Sequence, residues 1–291
     1  MDYVIMMDVS GELDMSIPAN TEVEFLSMEY SLNDAMLTCA FPENREKLKP
    51  FYDAQRSGDL THTSQISPFM YETAAKARFE KGLDVLCITL SSGLSSTYNS
   101  ALTAKAELDD EYPDHKFVPV DSLGATGGMG VLAERAMRNK AAGMDIEANA
   151  ADLREAATHL CHWFFVQDLQ YLKRGGRISA ATAILGGALN IKPILRIAPN
   201  GKLETIGKKR GNSQAVKAIV ECFARQYAPA SPDPIYITDA DDEELSLQAA
   251  AAILERFPNA AIRRVPMSPI IGAHTGPGAI TLCHIGKDIR A

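Results

Sequence analysis

The sequence lacks the features that mark disulfide-rich, zinc-binding and membrane-spanning proteins. Its five cysteines are scattered and none belongs to a CxxC pair, so neither a disulfide framework nor a zinc ribbon is indicated. No apolar run approaches the ~20 residues that a membrane-spanning helix needs. The first residues, MDYVIMMDVSG, have no basic segment, and their apolar stretch is too short for a signal peptide. We therefore expect a soluble protein of the reducing cytoplasm, with no membrane span.

Positive charge is also scarce. The 291 residues carry 29 Lys and Arg against 37 Asp and Glu, which gives a formal net charge of −8. Because no basic excess is available to replace the counterions of phosphates, this balance argues against a general nucleic-acid binder. Metal-binding clusters are missing too. The segment THLCHW places His159, Cys161 and His162 together, but no second ligand pair accompanies them, so a metal site is not indicated.

Short apolar runs alternate with amphipathic ones, which is the pattern of an α/β protein. Strands are predicted at residues 3–7, 22–28, 84–90, 116–120, 163–166, 191–197, 202–206, 235–238, 261–265 and 279–285. Helices are predicted at residues 43–57, 68–81, 96–111, 127–142, 146–160, 180–188, 213–227 and 242–257. The alternation breaks near residue 165, in QDLQYLKRGGRIS, so we predict two domains, residues 1–165 and 166–291.

The segment TLSSGLSSTYNSA, residues 89–101, runs from a predicted strand into a predicted helix. Such a turn directs unpaired backbone N–H groups and the positive end of the helix dipole at one point, which suits a carboxylate or a phosphate. The alternative is that Ser95 only caps its own helix. A third reading is a nucleophile, since GLSST resembles the GxSxG elbow, with Asp239 and His274 following in hydrolase order. Thr97, however, stands where that elbow has its second glycine.

Two further polar segments precede predicted helices. THTSQISP, residues 61–68, offers the hydroxyls of Thr63 and Ser64, while Ser67 with Pro68 is explained by helix capping. DSLGATGGMG, residues 121–130, lacks both GxGxxG and the lysine of a Walker loop, so nucleotide binding is poorly supported. Its glycines instead predict close packing of a helix on a sheet.

Basic residues concentrate in two glycine-containing turns of this acidic chain. YLKRGGRIS contains Arg174 and Arg177, and KKRGNS contains Arg210. They are either solvated turns or a positive patch for an acidic ligand or partner. IIGAHTGPGAI places His274 in a predicted Gly/Pro-rich turn, where the glycines suggest close approach of another group.

Together these segments resemble the DegV family of fatty-acid-binding proteins. The matching motifs occur in the family's order over nearly the whole chain: THTSQISP, LSSGLSSTYNSA, VDSLGATGGMG, VQDLQYLKRGGRIS, LNIKPIL, GKKRGNS and IGAHTGPGAI. The resemblance implies a two-domain α/β fold, with a mainly parallel sheet in an N-terminal α/β sandwich and a C-terminal α+β domain. It implies that one long-chain fatty acid lies between the domains and that no cofactor is needed. It also implies a partner, an ATP-dependent fatty acid kinase that forms the acyl-phosphate, so the chain itself would be no enzyme.

The resemblance also assigns site residues. By motif, Thr63 and Ser95 would hydrogen-bond the carboxylate, and His274 would lie beside it. Gly93 and Leu94 would shape the head-group site, and Ser64 would belong to it. Arg174, Arg177 and Arg210 would help that site or the docking of the kinase. The start MDVSGEL and Gln167 of VQDLQYL depart from the family pattern, which leaves chain preference open. Residues 183–191 and Met129 are candidate tunnel linings.

Overall fold

The computed structural model describes residues 2–179 and 190–290. The predicted helix at 180–188 and most of the candidate tunnel lining at 183–191 lie outside these residues. The strands are β1 (Tyr3–Asp8), β2 (Glu24–Leu26), β3 (Met28–Leu32), β4 (Ala35–Cys39), β5 (Asp84–Thr89), β6 (Phe117–Asp121), β7 (Leu160–Phe165), β8 (Ile191–Ile197), β9 (Leu203–Arg210), β10 (Ile235–Asp239), β11 (Ile262–Pro266) and β12 (Ile280–Ile285). The α-helices are α1 (Arg45–Arg56), α2 (Pro68–Phe79), α3 (Thr97–Glu111), α4 (Gly127–Ala141), α5 (Ile146–His159), α6 (Gln170–Arg174), α7 (Asn212–Gln226), α8 (Glu243–Arg256) and α9 (Pro269–Thr275), and a 3₁₀ helix spans Pro18–Glu22.

The first half of the chain is built on a four-stranded sheet in the order β2-β1-β5-β6, in which all pairs are parallel. Every residue of β5 is buried, as expected for a central strand that is covered on both faces. One core cluster combines this sheet with α4 and α5, and another combines it with α2 and α3. Helices therefore cover both faces, which is the predicted sandwich.

The second half is built on a six-stranded sheet in the order β11-β10-β12-β7-β8-β9. Its pairs are antiparallel except β10 with β11, so the sheet is mixed. Strand β7, which the predicted division at residue 165 places in the first half, pairs here with β12 and β8. Helices α7 and α8 cover one face of this sheet. The other face turns towards the first half.

Helix α1 belongs to the first half by sequence but packs against the second. The Tyr52 hydroxyl donates to the Met267 carbonyl at 2.8 Å. Arg45 makes two hydrogen bonds to the fully buried carboxylate of Asp239, at 2.5 and 2.6 Å. A charge pair of this kind is costly to break, because the buried carboxylate would lose its partner. The two halves are thus joined by α1 as well as by the chain.

The predicted strand at 22–28 is wrong in its extent. The chain forms the short strand β2 and then a separate antiparallel hairpin, β3 with β4, that was not predicted. Asn33 and Asp34 connect the hairpin with φ of 48° and 64°, which is the backbone of a type I′ turn. Helix α2 begins as predicted, with the Ser67 hydroxyl accepting from the Met70 N–H at 3.4 Å. No described helix is long and apolar enough to cross a membrane.

Candidate functional site

A cavity of about 540 Å³ lies between the two halves. Its size is that of a small-molecule site, for which volumes of roughly 300–1,000 Å³ are usual. About half of its lining residues are apolar, and they come from both halves: Met28, Leu90, Leu94, Ala125, Phe164, Leu172, Ile197, Leu203, Met267, Ile270, Ile271 and Ala279. Its polar lining includes Thr63, Ser64, Gly93, Ser95, Arg177 and His274. Seven of the nine sequence-predicted site residues, Leu94 among them, therefore line this one cavity.

Thr63 and His274 meet at one side of the cavity. Thr63 pairs with Tyr30 of β3 in an antiparallel bridge, and the next N–H, that of Ser64, donates to the Glu29 carbonyl at 3.0 Å, so the hairpin β3–β4 positions Thr63. His274 lies in the last turn of α9, not in the Gly/Pro-rich turn that the sequence suggested, which begins only at Gly276. The Thr63 Oγ1 and the His274 Nε2 are 2.9 Å apart, a hydrogen bond whose direction depends on the tautomer of the imidazole.

The double glycine of YLKRGGRIS makes room for the His274 ring. A Cβ atom on Gly175 would lie 2.3 Å from the His274 Nδ1, so only glycine allows this approach. Burial lowers the pKa of His274 to about 4, with smaller contributions from the positive charges of Arg177 and His62. His274 is therefore neutral at pH 7 and can donate through only one ring nitrogen.

Ser95 lies at the start of α3 and also faces the cavity. Its hydroxyl is 2.8 Å from the Thr97 hydroxyl and accepts from the Thr97 N–H at 3.2 Å. The N-cap residue of α3 is Ser96, and Ser95 just before it accepts from the first N–H of the helix. This contact does not exclude a ligand, because Ser95 is among the residues that line the cavity. A hydroxyl has one donor and two acceptor sites, so Ser95 retains capacity for a further partner.

Gly93 and Leu94 are held in place by the turn between β8 and β9. The Ser91 hydroxyl donates to the Gly201 carbonyl at 2.9 Å. A Cβ atom on Gly93 would lie 2.4 Å from the Gly201 carbonyl carbon, so the two backbones are in direct contact. The glycine in GLSST therefore serves the contact between the two halves.

Arg177 supplies positive charge to the same side of the cavity. Its Nε donates to the Leu94 carbonyl at 3.1 Å, and its Nη1 donates to the Gly175 carbonyl. Burial lowers the pKa of Arg177, which means that its charged form is short of solvation. No Asp or Glu is among the described residues that line the cavity. This side of the cavity therefore suits an anionic group.

A Ser–His–Asp triad is not assembled. Ser95 contacts Thr97, His274 contacts Thr63, and Asp239 is paired with Arg45. The hydrolase reading needs a hydrogen bond between nucleophile and base and a second between base and carboxylate. Ser95, His274 and Asp239 make neither of these hydrogen bonds.

The remaining predicted residues lie elsewhere. Arg174 is exposed at the end of α6 and stacks over the Tyr171 ring, 4.5 Å from its centroid. Arg210 is exposed at the end of β9. Neither lines the cavity, so a role for them in the head-group site stays a prediction. Met129 is buried in the core of the first half and is not part of the cavity lining either.

Sequence reasoning missed the part of the cavity that is formed by regular elements. Phe164 and His162 of β7, Thr281 of β12 and Thr126 before α4 all face it. Local sequence carries no signal for these residues, since an alternating strand does not reveal which of its faces meets a cavity. Only the glycines of DSLGATGGMG hinted at a close approach there.

Comparison with known proteins identifies the family. The model of the family described as "Uncharacterised protein, DegV family" matches residues 3–287. A DegV domain-containing protein of Clostridium perfringens is 30% identical over 284 residues, which cover 98% of this chain and 97% of the relative. The solved structure of a fatty-acid-binding DegV family protein from Thermus thermophilus is 26% identical with a TM-score of 0.83, and the match covers 98% of this chain and 100% of that one.

One further structure shares the fold. The fatty acid kinase B3 protein of Streptococcus pneumoniae, loaded with linoleic acid, superposes with a TM-score of 0.86 over 99% of this chain and 100% of that one. At 22% identity this likeness shows the fold alone. The α/β architecture and the family that the motifs predict are both confirmed, and the chain belongs to the DegV family.

Proposed function

We propose that this protein binds one long-chain fatty acid in the cavity between its halves, with the carboxylate at Thr63, Ser95 and His274. The observation that carries the proposal is the distribution of polarity in the cavity. Two hydroxyls, a neutral imidazole and a guanidinium meet at one side, and apolar side chains form most of the remaining lining. A fatty acid has the same distribution, with one charged end and a long apolar tail.

The energetics of such a ligand fit this arrangement. Each buried methylene contributes about 0.8 kcal/mol, so the tail would supply most of the affinity. The carboxylate would be costly to bury without donors, and hydrogen bonds to it are stronger than those between neutral groups. Thr63 and Ser95 would donate to the carboxylate, His274 would orient the Thr63 hydroxyl, and Arg177 would supply positive charge nearby. The head group would therefore determine orientation, and the tail would determine affinity.

We further propose that the bound fatty acid is presented to an ATP-dependent fatty acid kinase. The similar fold of the Streptococcus pneumoniae fatty acid kinase B3 protein supports this role. In this proposal the partner supplies the phosphoryl chemistry and the acyl-phosphate serves phospholipid synthesis. The unassembled triad is in keeping with it, because Ser95 and His274 then need only bind. No cofactor is part of the proposal.

Native mass spectrometry tests the binding step. Delipidated protein is incubated with oleate, and we expect a complex with one oleate per chain. The variant Ser95→Ala is expected to bind oleate about tenfold more weakly, because one hydrogen bond to a charged group is lost. With the partner kinase and ATP, the same variant is expected to form less acyl-phosphate.

A matched control separates binding from folding. Ser67→Ala removes a comparable helix cap, since Ser67 accepts from the Met70 N–H at the start of α2, but Ser67 lies outside the cavity lining. Both variants are expected to lose about 1 kcal/mol of stability. Only Ser95→Ala should weaken oleate binding. Wild-type protein that binds no fatty acid would refute the proposal, and equal affinities of the two variants would remove Ser95 from the site.

A further inference from the structure

The side chain of Gln55 connects the two segments that carry Thr63 and His274. Gln55 lies in the last turn of α1 and is 2% exposed. Its Nε2 donates to the Thr61 Oγ1 at 2.8 Å and to the Gly272 carbonyl at 3.0 Å. An amide nitrogen of this kind has two N–H groups, so both are used. One side chain of α1 therefore joins the loop before α2 to helix α9.

Both of these contacts lie two residues before a member of the head-group pair. Thr61 precedes Thr63 in the loop, and Gly272 precedes His274 in α9. Helices rise about 1.5 Å per residue, so Gly272 lies about 3 Å along the helix axis from His274. The hydrogen bond between Thr63 and His274 joins residues 211 positions apart in the chain. Its length therefore depends on how the loop and α9 are held relative to each other.

The amide of Gln55 fits the junction in one orientation. If its nitrogen and oxygen were exchanged, Oε1 would face the Gly272 carbonyl, and neither oxygen could donate. In the orientation observed, Oε1 makes no hydrogen bond with any described residue. A buried acceptor without a partner is unfavourable, so this oxygen does not explain why an amide stands here. The side chain acts as a donor, and its contribution lies in the two segments that it joins.

Helix α6 contacts the same junction. The Tyr171 hydroxyl donates to the backbone carbonyl of Gln55 at 3.3 Å. A Cβ atom on Gly276 would lie 2.4 Å from the Tyr171 ring, so this ring is in direct contact with the turn that follows α9. A Cβ atom on Gly272 would lie 2.5 Å from the Tyr52 hydroxyl oxygen, so α9 is equally close to α1. Gln55 thus lies where α1, α6 and α9 meet the loop.

We propose that Gln55 is a positioning residue for the head-group site. Its amide holds the loop and α9 at a fixed separation and thereby sets the distance between Thr63 and His274. This inference rests on the proposed binding of a carboxylate at those two side chains. Binding groups keep a productive geometry through the hydrogen bonds of the residues behind them. Gln55 is not among the described residues that line the cavity, so it acts through the pair and not on the ligand.

The first measurement uses the ligand-free protein. Gln55→Met keeps a side chain of similar length but donates no hydrogen bond. We expect the ¹⁵N shift of the His274 Nε2 to move away from its wild-type value, because the contact with Thr63 is loosened. The control Tyr52→Phe removes a different hydrogen bond from α1 to the second half, that to the Met267 carbonyl, and should leave the shift unchanged. A wild-type shift in Gln55→Met overturns the proposal.

The second measurement is the oleate affinity of the same variants, determined by native mass spectrometry. Gln55→Met is expected to bind oleate about fivefold more weakly than the wild type, and Tyr52→Phe about as tightly. In a Thr63→Val background, Gln55→Met should cause almost no further loss, because the pair that it positions is already broken. A general structural role would lower the affinity by the same factor in both backgrounds, and that result overturns the proposal.

A milder variant covers the case in which Gln55→Met does not fold. Thr61→Val removes only one of the two hydrogen bonds, and Thr61 lies partly exposed in a loop. It should move the His274 Nε2 shift in the same direction and weaken oleate binding about twofold. No change in either quantity overturns the proposal. A wild type that binds no oleate overturns the proposed function, whereas the shifts of the ligand-free protein show separately whether Gln55 positions the pair.

Discussion

Two histidines line the cavity, and they lie in different settings. His274 lies in the last turn of a short helix, and its partner Thr63 comes from a loop of the other half. His162 lies within a strand of a six-stranded sheet and is held by glycines at the start of α4. The first histidine has a hydroxyl partner on Nε2, and the second has a backbone partner on Nε2.

The difference separates two kinds of site. Loop side chains brought together from distant segments form a polar end that can hold a charged group. A side chain fixed on regular elements is held in one orientation by the packing around it. A change that disturbs packing should therefore lower stability most at His162. Loss of a hydroxyl should instead weaken ligand binding at His274.

The largest effect is expected for Gly128→Ala, which breaks the packing of the His162 end. The new Cβ would lie 2.1 Å from the His162 Nε2, which is far closer than Cβ atoms approach other atoms, so the buried ring or the start of α4 must shift. We expect the free energy of unfolding to fall by about 3 kcal/mol, as for an overpacked core. Urea denaturation measures it. Gly207→Ala in β9 is the control, because no atom lies within 4 Å of its Cβ, and a similar loss there would contradict the packing argument.

An intermediate effect on stability is expected when the pH is lowered. It allows the two histidines to be compared directly. Their folded-state pKa values, about 3 for His162 and about 4 for His274, lie below the ordinary value of 6.5. The unfolded chain therefore binds more protons below pH 6.5, and stability falls as the pH falls. Between pH 7 and pH 5 each histidine should lower the free energy of unfolding by about 2 kcal/mol. Below pH 4 only His162 continues to lower the stability, down to about pH 3.

Urea denaturation at several pH values checks this expectation with His162→Gln and His274→Gln beside the wild type. Each variant should lose less stability between pH 7 and pH 5 than the wild type does. The comparison with the wild type is needed because Glu12 acts in the opposite direction. Burial raises the pKa of Glu12 from 4.5 to about 8, so its contribution to stability rises as the pH falls between these values. Unchanged pH dependence in both variants would show that neither ring is held neutral.

The smallest effect is expected for Thr63→Val at the His274 end. This change keeps the side-chain shape but removes the hydroxyl that lies 2.9 Å from the His274 Nε2. Oleate affinity should fall about tenfold, because one hydrogen-bonding group at the carboxylate is lost. Thr103→Val on the exposed face of α3 is the control. An oleate affinity equal to that of the wild type would remove Thr63 from the head-group site.

Much of the fold and the polar end of the site could be predicted from the sequence. The alternation of apolar runs indicated the α/β class, and Ser67 with Pro68 marked the start of α2. Thr63, Ser95 and His274 were assigned to the site from the resemblance to the DegV motifs, and the structure brings them to one cavity. The hairpin β3–β4 escaped prediction, since its strands are short and β4 is mostly exposed. Arg174 and Arg210 looked equivalent to Arg177 in sequence, but only Arg177 lines the cavity.

By itself the sequence determined the kinds of element, their order and the family, because periodicity, capping and motif order are local properties of the chain. Only the tertiary structure decided which surfaces meet. It showed that β7 belongs to the second sheet, that α1 packs across the halves through Arg45 and Asp239, and that His162 is among the residues that line the cavity. These features arise from contacts between residues more than a hundred positions apart, or from the side of a strand that happens to be covered. No local pattern encodes either.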